Sequence, residues 1–195
     1  MNHSRSWLRL CFAGALVATG TAQAAAQVGT VSNAQVISLA AAKSSQLSVA
    51  VTAGATQTLP SFTDNTTNNF PSPVVIRTQW DLHPGQTGSV RLIAWFATPA
   101  QALFNAGSGT AIASSRMRGR VATGVPVTFA AFTQNPVGGV GAAGGSLQLL
   151  NVNINGANKT TTRSDNLQLQ LDLTGAGVLP PGTYSGTLNI QAVTQ

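Results

Sequence analysis

From Asn166 to Leu173 the chain reads Asn-Leu-Gln-Leu-Gln-Leu-Asp-Leu, polar and apolar residues alternating without an error. A period of two puts every leucine on one side of an extended strand and every polar residue on the other, which no helix can do. Such a strand has one face to bury and one to wet, so it needs a second layer over its leucines. The same signature recurs along the chain. In residues 74–82, Val74, Ile76, Thr78, Trp80 and Leu82 share a face anchored by Trp80, and in residues 89–97 Val90, Leu92, Ala94 and Phe96 match it. Leu47, Val49 and Val51 are in phase in residues 46–52, as are Val125, Val127, Phe129 and Ala131 in residues 125–132. In residues 147–154 the apolar phase changes once, between Leu149 and Leu150, the mark of a β-bulge.

The segments between carry turn chemistry. His83-Pro84-Gly85-Gln86 fits a type II turn, with Pro presetting the second position and Gly accepting positive φ at the third. Thr174-Gly175-Ala176-Gly177 separates the alternating strand from a last one, most simply as a hairpin. Residues 53–73, with Asp64-Asn65-Thr66-Thr67-Asn68-Asn69 among them, read as a long exposed loop suited to binding. Residues 137–145 are a glycine-rich low-complexity loop. Only Thr98-Pro99 suggests a helical turn, running through Phe104. Ile93 and Trp95 make the second face of residues 89–97 apolar as well, which calls for a central strand or a neighbouring subunit over it. About eight short strands with almost no helix predict an all-β fold, an immunoglobulin-like β-sandwich of about 7–9 antiparallel strands, with a closed barrel as the alternative.

The N-terminus reads as an export signal. Arg5 and Arg9 precede an apolar run from Leu10 to Ala18 that is too short to span a bilayer, and Ala22-Gln23-Ala24 is a small-x-small cleavage site. This divides the chain into a signal peptide over residues 1–24, an N-terminal arm or first strand over 25–42, and a sandwich domain over 43–195. No transmembrane anchor is expected after cleavage. The single cysteine, Cys11, lies inside the signal, and Leu8-Arg9-Leu10 before it does not suit a lipid-attachment site. Without a disulfide, stability must come from burial and sheet pairing.

Composition narrows the chemistry. Glutamate is absent, the acidic side chains are Asp64, Asp81, Asp165 and Asp172, and beyond the signal His83 is the only histidine. A serine triad would need His83 beside a nucleophilic serine, yet no serine sits in a Gly-x-Ser-x-Gly elbow and His83 directly precedes the Pro-Gly turn. The usual zinc ligand sets cannot be assembled, and Asp64 with its neighbouring asparagines matches no calcium-loop spacing. Asp165 and Asp172 lie at the start and on the polar face of a strand, where nothing tunes them for glycoside hydrolysis. No catalytic residue, metal or cofactor is therefore assigned. Arg116, Arg118 and Arg120 fall on one face of an extended strand, which makes either an anion-binding face or a charged edge that discourages aggregation. No aromatic ladder accompanies them, and nucleic acid is not expected as a partner.

The C-terminal stretch is the most specific. After Leu179-Pro180-Pro181-Gly182-Thr183-Tyr184 come alternating residues in which Tyr184, Leu188, Ile190 and Ala192 share one parity. This resembles the end of chaperone-usher pilus subunits and of spore-coat-U-like secreted domains, over roughly the last twenty residues. In those families a glycine placed like Gly182 opens the final strand. The paired cysteines common there are absent, and Thr194 stands where a penultimate aromatic is usual. The resemblance implies an exported sandwich lacking one strand, completed by a neighbour's N-terminal arm. Gly182, Tyr184, Leu188 and Ile190 would form the assembly motif, and Val28, Val31, Ile37 and Leu39 the donor arm, although Val36 and Ile37 are adjacent and only part of the arm alternates. The expectation is an exported, non-catalytic structural or surface subunit, periplasmic, on the cell surface or extracellular, that self-associates or meets envelope partners. The alternative is a self-complete secreted binding module that reads glycan or an anionic envelope polymer through the Asn/Thr-rich loop and the arginine face.

Overall fold

A computed structural model describes residues 40–41 and 44–195. The signal segment and the donor-arm residues Val28, Val31, Ile37 and Leu39 lie outside them. Strands β1 (Gln46–Ala53), β2 (Thr67–Asn69), β3 (Val74–Asp81), β7 (Met117–Val121), β8 (Ala130–Ala131) and β10 (Thr160–Asp172) make one antiparallel sheet. Its order is β1-β3-β10-β7-β8, and β2 follows β3 along the same edge of β10. The second sheet is β11-β4-β9, built from β4 (Gly88–Phe96), β9 (Ser146–Ile154) and β11 (Leu188–Thr194). A small hairpin pairs β5 (Leu103–Asn105) with β6 (Thr110–Ile112). The protein is all-β, two sheets packed face to face, and among the described residues no helix is long and apolar enough to cross a membrane.

The core is what the alternation specifies. Leu167, Leu169 and Leu171 of β10 and Ile76 of β3 meet Leu92, Phe96, Leu147 and Leu150 from the facing sheet. A second, smaller cluster gathers Trp80, Leu82, Val90 and Ile154 at one end. Between the two lie Thr78, paired across the strands with Arg163, and Asp165. Arg163 binds Asp165 and donates to the Thr123 carbonyl at 2.9 Å, while the Thr123 hydroxyl donates to Asp165 at 2.8 Å. A carboxylate that is 1% exposed is thus fully partnered, as burial of a charge requires. The bulge falls where the phase break puts it. Leu92 pairs with Leu150 but Ile93 with Gln148, so Leu149 is the extra residue.

Several expectations are corrected. Residues 166–173 and the final strand are no hairpin: β10 and β11 belong to different sheets. From Leu167 to Leu171 β10 is bonded to β7, and Leu167 and Gln170 have partners on both edges, so no edge is left there for β11. The alternating strand is also longer than residues 166–173, since β10 begins at Thr160. Gln86 donates to the His83 carbonyl at 2.9 Å, but Gly85 is not at positive φ, so the turn is not type II. The His83 ring accepts from the Gly85 N–H at 3.1 Å instead. Of residues 125–132 only β8 is strand, and Val125 and Val127 are exposed. The helical turn shrinks to one 3-10 turn, Pro99–Gln101, followed by β5. Arg116 sits in a second 3-10 turn before β7. Residues 53–73 contain β2, and Leu59, Phe62 and Phe70 pack on the core from within them.

Ile93 is fully buried although it points away from the core. The glycine-rich segment lies on that outer face: a Cβ on Gly138 would meet Val193 Cγ2 at 3.0 Å and the Gln195 side chain at 2.7 Å. Val140 in the same segment is buried, and Val137 and Val140 close a turn through mutual hydrogen bonds. Ile93 is thus buried within the chain, on the central strand of its sheet, while Trp95 on the same face is only partly buried.

Leu167 and Gln168 are adjacent on β10 and face opposite ways. Leu167→Ala should lower unfolding free energy by about 2–5 kcal/mol in a urea melt, and Gln168→Ala by less than about 1 kcal/mol. Similar losses at both positions would mean that the leucine row does not face the core.

Candidate functional site

The two margins of the sandwich differ. On the β8/β9 side the sheets are stitched together. Val125 donates to the Leu149 carbonyl at 3.0 Å, Gln134 and Ser146 exchange bonds at 2.9 and 3.2 Å, and the Gln134 side chain accepts from Gln148 N–H at 2.7 Å. On the other side β1 ends one sheet and β11 ends the other, and among the described residues neither has a strand on its outer edge. This margin is filled at one end, where Leu47 packs on the Trp80 cluster, and open from Val51 onward.

The open part holds two adjoining hollows. One, of about 310 Å3, lies among Val51, Phe96, Met117, Leu169, Leu188 and Ile190. The other, of about 720 Å3, separates a non-strand strap, residues 57–62, from residues 179–186. Around them apolar side chains stay half-exposed, including Leu59, Phe62, Tyr184, Leu188 and Ile190, and Val51 is 40% exposed. Leu59, Phe62, Tyr184, Leu188 and Ile190 are thus packed on the core with one side and open to the hollows with the other.

The backbone here is also unspent. Gln195 and Ser89 exchange both hydrogen bonds, at 2.6 and 2.9 Å, and so do Ser185 and Phe104, at 2.8 and 3.1 Å. Along an antiparallel strand bonded residues alternate, so the odd-numbered residues from 185 to 195 face β4 and β5. The even-numbered ones, Tyr184, Gly186, Leu188 and Ile190, turn N–H and C=O to the margin that no described strand occupies, and the side chains of Tyr184, Leu188 and Ile190 line it. Two glycines fix this course. A Cβ on Gly186 would sit 1.8 Å from the Ala102 carbonyl oxygen, and Gly182, at φ +137°, leaves room only for the Asn105 side chain, 2.6 Å from where its Cβ would be. Tyr184 closes the Pro180-Pro181-Gly182 turn by donating its hydroxyl to the Pro180 carbonyl at 3.0 Å, and its ring meets Phe62 edge-on at 5.6 Å. The four residues of the C-terminal motif are thus brought together on one groove.

The other polar candidates are engaged within the chain. Asp64 accepts from Leu179 N–H at 3.2 Å and Asn65 from Gly177 N–H at 2.9 Å, so the Asn/Thr-rich loop clasps the approach to the final strand. Arg116 donates to the Thr174 carbonyl at 2.5 Å and Arg118 pairs with Asp172 at 2.6 Å. Arg120 donates to Gln168 at 2.5 Å and lies 4.7 Å over the Phe129 ring. Among the described residues no three His, Cys, Asp or Glu side chains gather as metal ligands. The strap was not legible as a groove wall. Its only signal was two apolar residues, Leu59 and Phe62, in a polar loop.

Compared with models of protein families, with curated proteins and with solved structures, the chain finds no match in any of the three.

Asp172 is held below the usual carboxylate range, first by the Thr174 hydroxyl and then by the Thr174 N–H at 3.0 Å; burial opposes them, and Arg118 and Arg116 add smaller lowering effects. A carboxyl depressed on folding adds stability above its unfolded pKa and loses it as pH falls through the folded one. Wild-type melting temperature should therefore fall on acidification below about pH 4, and Asp172→Asn should be less stable at neutral pH and show a shallower acid decline. Parallel acid profiles for the two proteins would remove this role from Asp172.

Proposed function

We propose that this chain is an exported, non-catalytic structural subunit, an immunoglobulin-like sandwich that assembles by accepting a β-strand from a second copy. The observation that carries the reading is the coincidence, on one margin, of a free strand edge and an unfilled apolar groove. Either alone is a liability: a bare edge invites uncontrolled pairing, and wet apolar surface invites aggregation. Together they have the chemistry of strand addition, in which main-chain bonds supply affinity and pockets on alternate side chains supply specificity. An incoming strand would bond to Tyr184, Gly186, Leu188 and Ile190 and lay its own inward side chains among theirs. Residues 25–42 of a second copy are the donor. Val31, Ile37 and Leu39 share one parity there, and Val28 has the other. Export rests on the signal-like N-terminus.

The mature protein taken from its native envelope fraction and left unboiled should run as a ladder of multiples that collapses on boiling. Removing residues 25–42, or converting Ile37 and Leu39 to aspartate, should abolish the ladder, and a free peptide spanning 25–42 should then bind the truncated domain. A monomer band in both lanes, with a truncated chain as stable as the full one, would overturn the reading.

A further inference from the structure

Away from the groove, the connection between β9 and β10 carries a reactive pair. Asn155 is the only asparagine in the sequence followed by glycine. Both residues are exposed. The turn arranges them for an intramolecular reaction. The Ala157 N–H donates to Asn155 Oδ1 at 3.0 Å, which polarises the side-chain carbonyl and lies where an oxyanion would form on it. The Gly156 N–H, the adjacent nucleophile once deprotonated, has no acceptor among the described residues, and none of them holds Asn155 Nδ2. A Cβ placed on Gly156 would find no atom within 4 Å, so that peptide has room to move.

Asn105 supplies an internal comparison. Its Oδ1 also accepts from the N–H two residues on, Gly107, at 3.0 Å. There Ala106 follows, the residue is 3% exposed, and Nδ2 is held by the Pro181 carbonyl at 3.3 Å. The same side-chain turn is thus locked at one site and unlocked at the other.

We infer that Asn155 is a spontaneous modification site, at which the folded protein loses ammonia and gains a carboxylate. The Gly156 nitrogen forms a bond to Asn155 Cγ, the Cγ–Nδ2 bond breaks, and ammonia leaves with the proton from Gly156. Water then opens the resulting five-membered imide at either carbonyl, giving aspartate or its isomer with the backbone routed through the side chain. No oxidant or enzyme is needed. The change adds a negative charge to a protein with four acidic residues. The isomer would lengthen a turn that Asn158 ties together, since Asn158 accepts from Asn155 N–H at 2.8 Å, donates to the Asn153 carbonyl at 2.8 Å and receives Trp80 Nε1–H at 2.8 Å on its own carbonyl. The product therefore reaches the Trp80 end of the core.

The test is storage of the folded full chain at mildly alkaline pH, followed by peptide mapping by mass spectrometry and enzymatic labelling of isoaspartate. Acid should appear at Asn155 before Asn65, Asn105 or Asn158, and Gly156→Ala, which the open space accommodates, should slow it by about tenfold or more. An intact Asn155 in the folded chain that converts only after unfolding in urea would overturn the inference, as would equal rates at Asn155 and Asn105.

Discussion

A strand has two edges, and in this fold the saturation of both edges of β10 decides the path of the rest of the chain. Along Leu167–Leu171 the strand is bonded to β7, with β3 and then β2 on the opposite edge. A strand in that position has no hydrogen-bonding group left to offer. The chain that leaves it at Leu173 must cross to the other sheet, and it does so through the turn that Asn65 and Asp64 clasp. There it pairs with β4 on one side and, among the described residues, meets no strand on the other.

The core tolerates this because its two sides are secured differently. The β8/β9 margin is closed by backbone bonds across the sheets, and inward-facing Thr78, Arg163 and Asp165, the last two bonded to exposed Thr123, lie between a large and a small apolar cluster. A buried charge held by several partners is demanding in geometry, and breaking it leaves an uncompensated ion. That requirement fixes the loop after β7 against the sandwich. At the β1/β11 margin Leu47 and Val49 pack on the core, and Leu59, Phe62, Leu188 and Ile190 stay only partly buried. The arginines, which as a set suggest an anion-binding face, are instead drawn into bonds with Asp172, Thr174 and Gln168.

Much of the fold was readable because burial in a sheet writes itself as a period of two. Every inward residue from Val74 to Leu82 and from Val90 to Phe96 follows that pattern, and the phase break at Leu149 located a real bulge. Which strand pairs with which was not readable, since a hairpin and a crossover between sheets leave the same alternation in residues 166–195. The run from Val125 failed for a related reason: alternation records a preference for two faces, not the presence of a partner, and Val125 and Val127 stay exposed. In the candidate site, the residues of the C-terminal motif could be named from their parity. The strap at residues 57–62 and the burial of Ile93 depend on long-range contacts that no local pattern encodes.

Among the described residues no strand lies on the outer edge of β11, and strand acceptance requires that this edge stay unbonded until a second copy covers it. Residue-resolved amide hydrogen exchange by NMR on the isolated monomer reads that edge directly. Along β11 the N–H groups of Leu188 and Ile190 should exchange fast, while those of Asn189, Gln191 and Val193, bonded to β4, should be protected, and the fast set should become slow in assembled material. Uniform protection of residues 188–193 in the monomer would show the margin already filled and would contradict an open, strand-accepting groove.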